Sequence, residues 1–191
     1  MKIIKTYNQV NEVLYNSYLL TDEQKDWCDT FITGPWKINF DGEVYVDDNK
    51  VYFNGLFERF KVKFARCSVF NAANNPKLNS LEGCPDYIKG QFNISNNDSL
   101  LSLDGSPKEV GGSYFAISLN IINLKGITKN IGGDLYLTDC FNLKSLDGLD
   151  KDFKGQIYAR NCGLPQDELI YNWQNDISGD EVNIFKTDWE I

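Results

Sequence analysis

The chain has 191 residues, is 42% hydrophobic with 14% aromatic residues and carries only 5 Pro, a balance that predicts a folded protein and excludes a disordered one. No run of ~18 apolar residues occurs, which excludes a transmembrane helix, and there is no His, which removes the commonest general base and a leading metal ligand. The net charge of −8 disfavours direct nucleic-acid binding, where basic residues must meet phosphate.

The charge is unevenly spread: residues 1–55 hold 9 acids and 5 bases, 56–146 hold 8 and 10, and 147–191 hold 10 and 4. The opening "MKIIKTYNQVNEV" reaches Asn, Gln and Glu before any long apolar core, so it does not read as a secretory signal and a cytoplasmic location is expected. The five Cys are odd in number and include no CxxC pair, which predicts reduced thiols rather than a disulfide framework or a metal site.

Residues 1–41 read as a helical cap and lead-in. "YNQVNEVLYNSYLL" places Val10, Val13 and Leu14 on one helical face, and "TDEQKDWCDTF" begins with Thr21 and Gln24 at capping-box spacing and brings Trp27, Cys28 and Phe31 together.

Residues 42–164 read as an internal repeat. Gly83, Gly105, Gly126 and Gly148 are spaced by 22, 21 and 22, and Gly90, Gly112, Gly133 and Gly155 keep the same step. Apolar columns run with them: Phe92, Tyr114, Leu135 and Ile157; Ile94, Ala116, Leu137 and Ala159; Leu81, Leu103, Leu124 and Leu146; Ile88, Val110, Ile131 and Phe153; and Leu100, Ile121 and Leu143. An apolar pair spaced by two is the inward face of a short strand. Phe70 and Ala72 extend the pattern upstream, "GEVYVDDNKVYFNG" reads as a first coil on Val44, Val46 and Val51, and an insertion near "ERFKVKFARC" breaks the spacing. A single coil cannot bury these columns alone, so the coils must stack. A polar column follows each strand, at Asn49, Asn75, Asn97 and Asn120, continued by Cys140 and Cys162. Cys67 has no assigned place.

The units "LNSLEGCPDYIKGQFNISNN" and "LLSLDGSPKEVGGSYFAIS", with the lead-in "WKINFDGEVYVDDNKVYFNGL", resemble the short leucine-rich repeats of many tailed-bacteriophage and some bacterial proteins, over roughly residues 36–164. The fold expected is therefore an α/β, mostly β solenoid: a leucine-rich-repeat-like, right-handed array of about six short coils between helical caps. Downstream, residues 165–191 are expected to be a cap helix, starting at Pro165 with Leu169, Ile170 and Trp173 facing the array, and an acidic tail. In that tail Val182, Ile184, Trp189 and Ile191 either pair as a terminal strand or form a partner-binding arm.

Residues alternating with the inward positions face outward. The first outward column reads Tyr45, Asn71, Asn93, Phe115, Tyr136 and Tyr158. The second reads Asp47, Ala73, Ser95, Ile117, Thr138 and Arg160. Aromatic residues in register form either an interface strip or a ladder that stacks for stability. Neither "DGEVYVDDN" nor the glycine pairs match a calcium loop or a phosphate loop, and no cofactor is expected. The function expected is a non-enzymatic protein-protein interaction module that uses the strand face. The phage resemblance implies an inhibitor or modulator of a host protein, in antiviral defence among other processes, acting in the host cytoplasm. An acidic DNA mimic, a hydrolase and a virion component are the competing readings.

Overall fold

The computed structural model describes residues 20–164 and a two-residue strand at Asn183–Ile184. The expected helical face of Val10, Val13 and Leu14, the helix after Pro165, and Val182, Trp189 and Ile191 lie outside the described residues. Helix α1 (Asp22–Phe31) comes first, followed by an antiparallel pair, β1 (Trp36–Ile38) and β2 (Val44–Val46). From β3 (Lys50–Tyr52) onward each turn of chain adds one strand to a long parallel sheet: β4 (Val69–Asn71), β6 (Phe92–Asn93), β8 (Tyr114–Phe115), β10 (Leu135–Tyr136) and β11 (Ile157–Tyr158). The middle turns also contribute β5 (Tyr87–Ile88), β7 (Glu109–Val110) and β9 (Asn130–Ile131) to a second parallel sheet. Finally β12 (Asn183–Ile184) lies antiparallel against β11. Six parallel strands joined by five turns of chain form a mostly β solenoid.

The apolar columns fill its interior. Phe92, Tyr114 and Leu135 are fully buried, as are Ile94, Ala116 and Leu137 and, on the far side, Leu81, Leu103 and Leu124. Backbone bonds between coils replace those that a helix or hairpin would supply: Phe92 N–H donates to Ser113 C=O (3.1 Å) and Ile94 N–H to Phe115 C=O (2.9 Å). Cys67 bridges in parallel to Ile88 and thereby takes the first place in the column of Ile88, Val110 and Ile131.

The two glycine columns do different jobs. Gly105 has φ +87°, a left-handed turn that a side chain would strain. Gly112 has no such φ, but a Cβ there would sit 2.8 Å from the backbone carbon of Gly90 in the coil below, so the close approach of coils requires its hydrogen. Each strand then leaves the sheet through a residue with positive φ: Asn74, Asn96, Ser118, Asp139 and Asn161. Asn and Asp tolerate that conformation best after Gly.

The buried polar column sits one residue further on. It runs Asn75, Asn97, Leu119, Cys140 and Cys162, so Asn120 and Asn49 are corrected out of it. Asn120 is exposed and Leu119 is buried in its place, because the shortened coil drops its residue after this position rather than before it. Asn49 lies in the turn ahead of β3. Asn97 is fully buried; its Nδ2 donates to Ala72 C=O (3.0 Å) and Ile94 C=O (2.8 Å), and its Oδ1 accepts the Asn75 N–H (2.8 Å). Asn75 repeats the device toward Phe57, donating to its C=O (2.8 Å) and accepting its N–H (3.3 Å). The thiols of Cys140 and Cys162 donate to Ala116 C=O (3.1 Å) and Leu137 C=O (3.0 Å). Leu119 can be apolar because the carbonyl it would otherwise serve, that of Ile94, is already bonded by Asn97.

At the N-terminal end, α1 carries the expected capping box: Thr21 Oγ1 accepts the Gln24 N–H (3.2 Å) and Gln24 Oε1 accepts the Thr21 N–H (2.9 Å). Its Trp27 packs on Phe31, Phe53, Phe57, Phe60 and Phe64 with ring centroids 5.1–6.4 Å apart. The insertion that interrupts the repeat thus supplies Phe60, Val62 and Phe64 to an aromatic cluster over the first coil. Among the described residues no helix is long and apolar enough to cross a membrane.

Candidate functional site

The strand pairing defines the outward face. Tyr52 opposes Asn71, Asn71 opposes Asn93, Asn93 opposes Phe115, Phe115 opposes Tyr136, and Tyr136 opposes Tyr158. Tyr52, 39% exposed, therefore heads this column. Tyr45 and Asp47 do not belong to the face: Tyr45 lies on β2, paired opposite Lys37, and Asp47 accepts hydrogen bonds from Lys37 Nζ (2.7 Å). The bond to Asp47 also raises the Lys37 ammonium above its ordinary range. "DGEVYVDDN" is thus a hairpin strand and turn with an ion pair across it.

The remaining expected residues share one surface but differ in what they offer. Asn71 and Asn93 turn their Oδ1 atoms back to the N–H groups of Ala73 (3.1 Å) and Ser95 (3.0 Å). Ser95 is only 6% exposed, and its Oγ accepts the Ile117 N–H (3.2 Å). These three side chains hold the strand ends in place. Phe115, Tyr136 and Tyr158 are half-buried and form a continuous stack, with centroids 4.5 and 4.6 Å apart and planes within 11° and 6°. The strand spacing of about 4.8 Å imposes that separation, so the ladder stabilises the sheet and presents ring edges outward. Tyr158 Oη donates to Gln156 Oε1 (2.5 Å). Ile117 and Thr138 are half-buried beside the ladder, and Arg160 is exposed at its end.

The turn that follows the strands carries three residues that sequence reasoning missed. Leu101 is 65% exposed, Ile122 58% and Phe141 70%. Leu101 and Ile122 occupy the same place in successive coils, one residue past the buried Leu100 and Ile121, and Phe141 follows the buried Cys140 in the next coil. The signal was present in the doublets Leu100–Leu101 and Ile121–Ile122, since a solenoid wall one residue thick admits only one member of each pair to the core.

The outer surface beside the far sheet is charged. Asp86 accepts Lys63 Nζ (2.5 Å) and Lys108 Nζ (2.6 Å) from flanking coils, and Lys63 also reaches Cys84 C=O. The Lys108 and Lys63 bonds hold the Asp86 carboxyl below its usual range. Beyond β9 a groove of about 430 Å³ opens over Ile131 and Gly132, edged by Glu109, Lys129, Asp152 and Lys154. Charges of both signs line it and select for neither.

Burial pushes the thiols of Cys28 and Cys67 up to about 12 and raises Cys84 as well. No known protein family, curated protein or solved structure matches this chain.

Proposed function

We propose that the chain is a non-enzymatic protein-binding module whose contact surface combines the strand-face ladder with the apolar turn beside it. The carrying observation is the exposure of Leu101, Ile122 and Phe141 on three successive coils. Large exposed apolar side chains grouped in this way mark interaction sites, whereas single ones do not. Fully burying one such side chain is worth about 1.5–3 kcal/mol, so three supply several kcal/mol toward the cost of association. Half-buried Phe115, Ile117 and Thr138 supply a flat, rigid flank, and aromatic residues fit the core of an interface. The resemblance to bacteriophage repeat proteins extends this reading to an inhibitor or modulator of a host protein, and that extension rests on the resemblance alone.

The test is capture from the natural host by the full chain, followed by titration of the purified captured protein. A Leu101→Ser, Ile122→Ser, Phe141→Ser variant should lose binding by about a hundredfold or more while melting as the parent does. Ile117→Lys probes the strand face separately. Binding unchanged in both variants would show that the surface lies elsewhere.

A further inference from the structure

Cys140 and Cys162 take the same place in successive coils. β10 and β11 pair Tyr136 with Tyr158, and each cysteine follows four residues later. The coils stay joined between them through the Asp139 N–H to Arg160 C=O bond (2.8 Å) and the Asn161 Nδ2 to Asp139 Oδ1 bond (2.7 Å). Neighbouring strands lie about 4.8 Å apart, inside the Cα separation of roughly 4.4–6.8 Å that a disulfide spans. Both thiols also point inward to the same side, toward carbonyls of the preceding coil.

We propose that Cys140 and Cys162 form an oxidisable dithiol that small peroxides convert to a disulfide joining two successive coils. Their environments divide the roles. Cys162 is only partly buried, whereas Cys140 is fully buried. The neighbouring Cys140 lowers the Cys162 thiol below its ordinary range; burial and Asp139 oppose this. The presence of Cys162, together with burial, raises Cys140. Cys162 is thus the attacking sulfur and Cys140 the resolving one.

The electrons balance with hydrogen peroxide as oxidant. The Cys162 thiolate attacks one peroxide oxygen, the O–O bond breaks, and the departing hydroxide is protonated to water, leaving a sulfenic acid. The Cys140 sulfur then attacks that sulfur; the S–O bond breaks, the hydroxyl leaves with the Cys140 proton as a second water, and the S–S bond forms. Two electrons pass from the two sulfurs to one peroxide. Cys67 and Cys84 also lie near enough to interact, but they are only 4% and 1% exposed with raised thiols, and Cys28 is fully buried on the inner side of α1.

The full chain is treated with hydrogen peroxide, quenched with an alkylating agent and mapped by mass spectrometry. The expected product has lost the mass of two hydrogens and contains a Cys140–Cys162 cross-linked peptide, with Cys28, Cys67 and Cys84 alkylated only after denaturation. In Cys140→Ser, which keeps a donor for Ala116 C=O, oxidation should stop at a sulfenic acid on Cys162 that dimedone traps. In Cys162→Ser, consumption of peroxide should slow about tenfold or more. Five intact thiols in the peroxide-treated parent, a cross-link between Cys67 and Cys84 instead, or an unchanged rate in Cys162→Ser would overturn the proposal. The parent's own peptide map decides the first two whether or not either variant folds.

Discussion

Replacing Asn97 by Ala removes a side chain that closes three backbone valences at once. Ala72 C=O, Ile94 C=O and Asn75 N–H each lose their partner, at a site fully closed to solvent. A buried polar group left unmet costs about 1–3 kcal/mol, and three in one small network relax together rather than independently. The expected destabilisation is about 4 kcal/mol, a large share of the ~5–15 kcal/mol that a domain possesses. Cys140→Ala removes a single weak S–H donor to Ala116 C=O and should cost only about 1 kcal/mol. Urea unfolding followed by circular dichroism measures both. With a slope near ~2 kcal/mol/M the Asn97→Ala midpoint should fall by about 2 M, several times the shift of Cys140→Ala. If the two variants unfold together, or Asn97→Ala lies within about 1 kcal/mol of the parent, Asn97 does not carry the network assigned to it.

Gly112→Ala places a methyl against the Gly90 backbone, so two coils must separate. A loss of about 3 kcal/mol is expected, whereas Gly34→Ala, with φ +88° and open space around it, should lose only about 1–2 kcal/mol; equal losses would mean that coil contact does not constrain the second glycine column. For Asp86 the folded-state carboxyl lies below its ordinary value, so its contribution is fully present above the unfolded value near ~3.9 and fades as pH falls through the folded one. Asp86→Asn should therefore be less stable than the parent at neutral pH by under about 1 kcal/mol, because the pair is exposed. The gap should close with acid and with added salt, as thermal melts across pH would register.

The solenoid was legible because a chain that stacks identical coils must repeat its core residues at a nearly constant step. The 21–22-residue columns led directly to Phe92, Tyr114 and Leu135 in one wall and Ile88 and Val110 in the other. The first coil was misplaced for a specific reason: "VYV" at 44–46 and "VYF" at 51–53 have the same alternation, and only hydrogen-bond register chooses between them. Register selects Val51 opposite Phe70, which moves Tyr52 onto the face and Tyr45 and Asp47 off it. The polar column slipped at Asn120 because residue type was followed past a one-residue deletion. In the doublets Asn74–Asn75 and Asn96–Asn97, the first member makes the left-handed turn and the second is buried, a division that composition alone does not reveal. Cys67 was unreadable because the aromatic insertion hides its phase, although it lies 21 residues before Ile88. The exposure of Leu101, Ile122 and Phe141 depends on how tightly each turn closes, which periodicity does not report.

The long sheet runs parallel throughout its interior, yet both of its margins are met by chain running the other way. Beside β3, Ile32 bridges antiparallel to Phe53, and the Thr33 N–H donates to Tyr52 C=O; beside β11 lies β12. A second copy of the molecule would therefore meet a reversed segment at either margin instead of a free parallel strand. Parallel stacking is self-templating, and reversal at the margins makes it terminate.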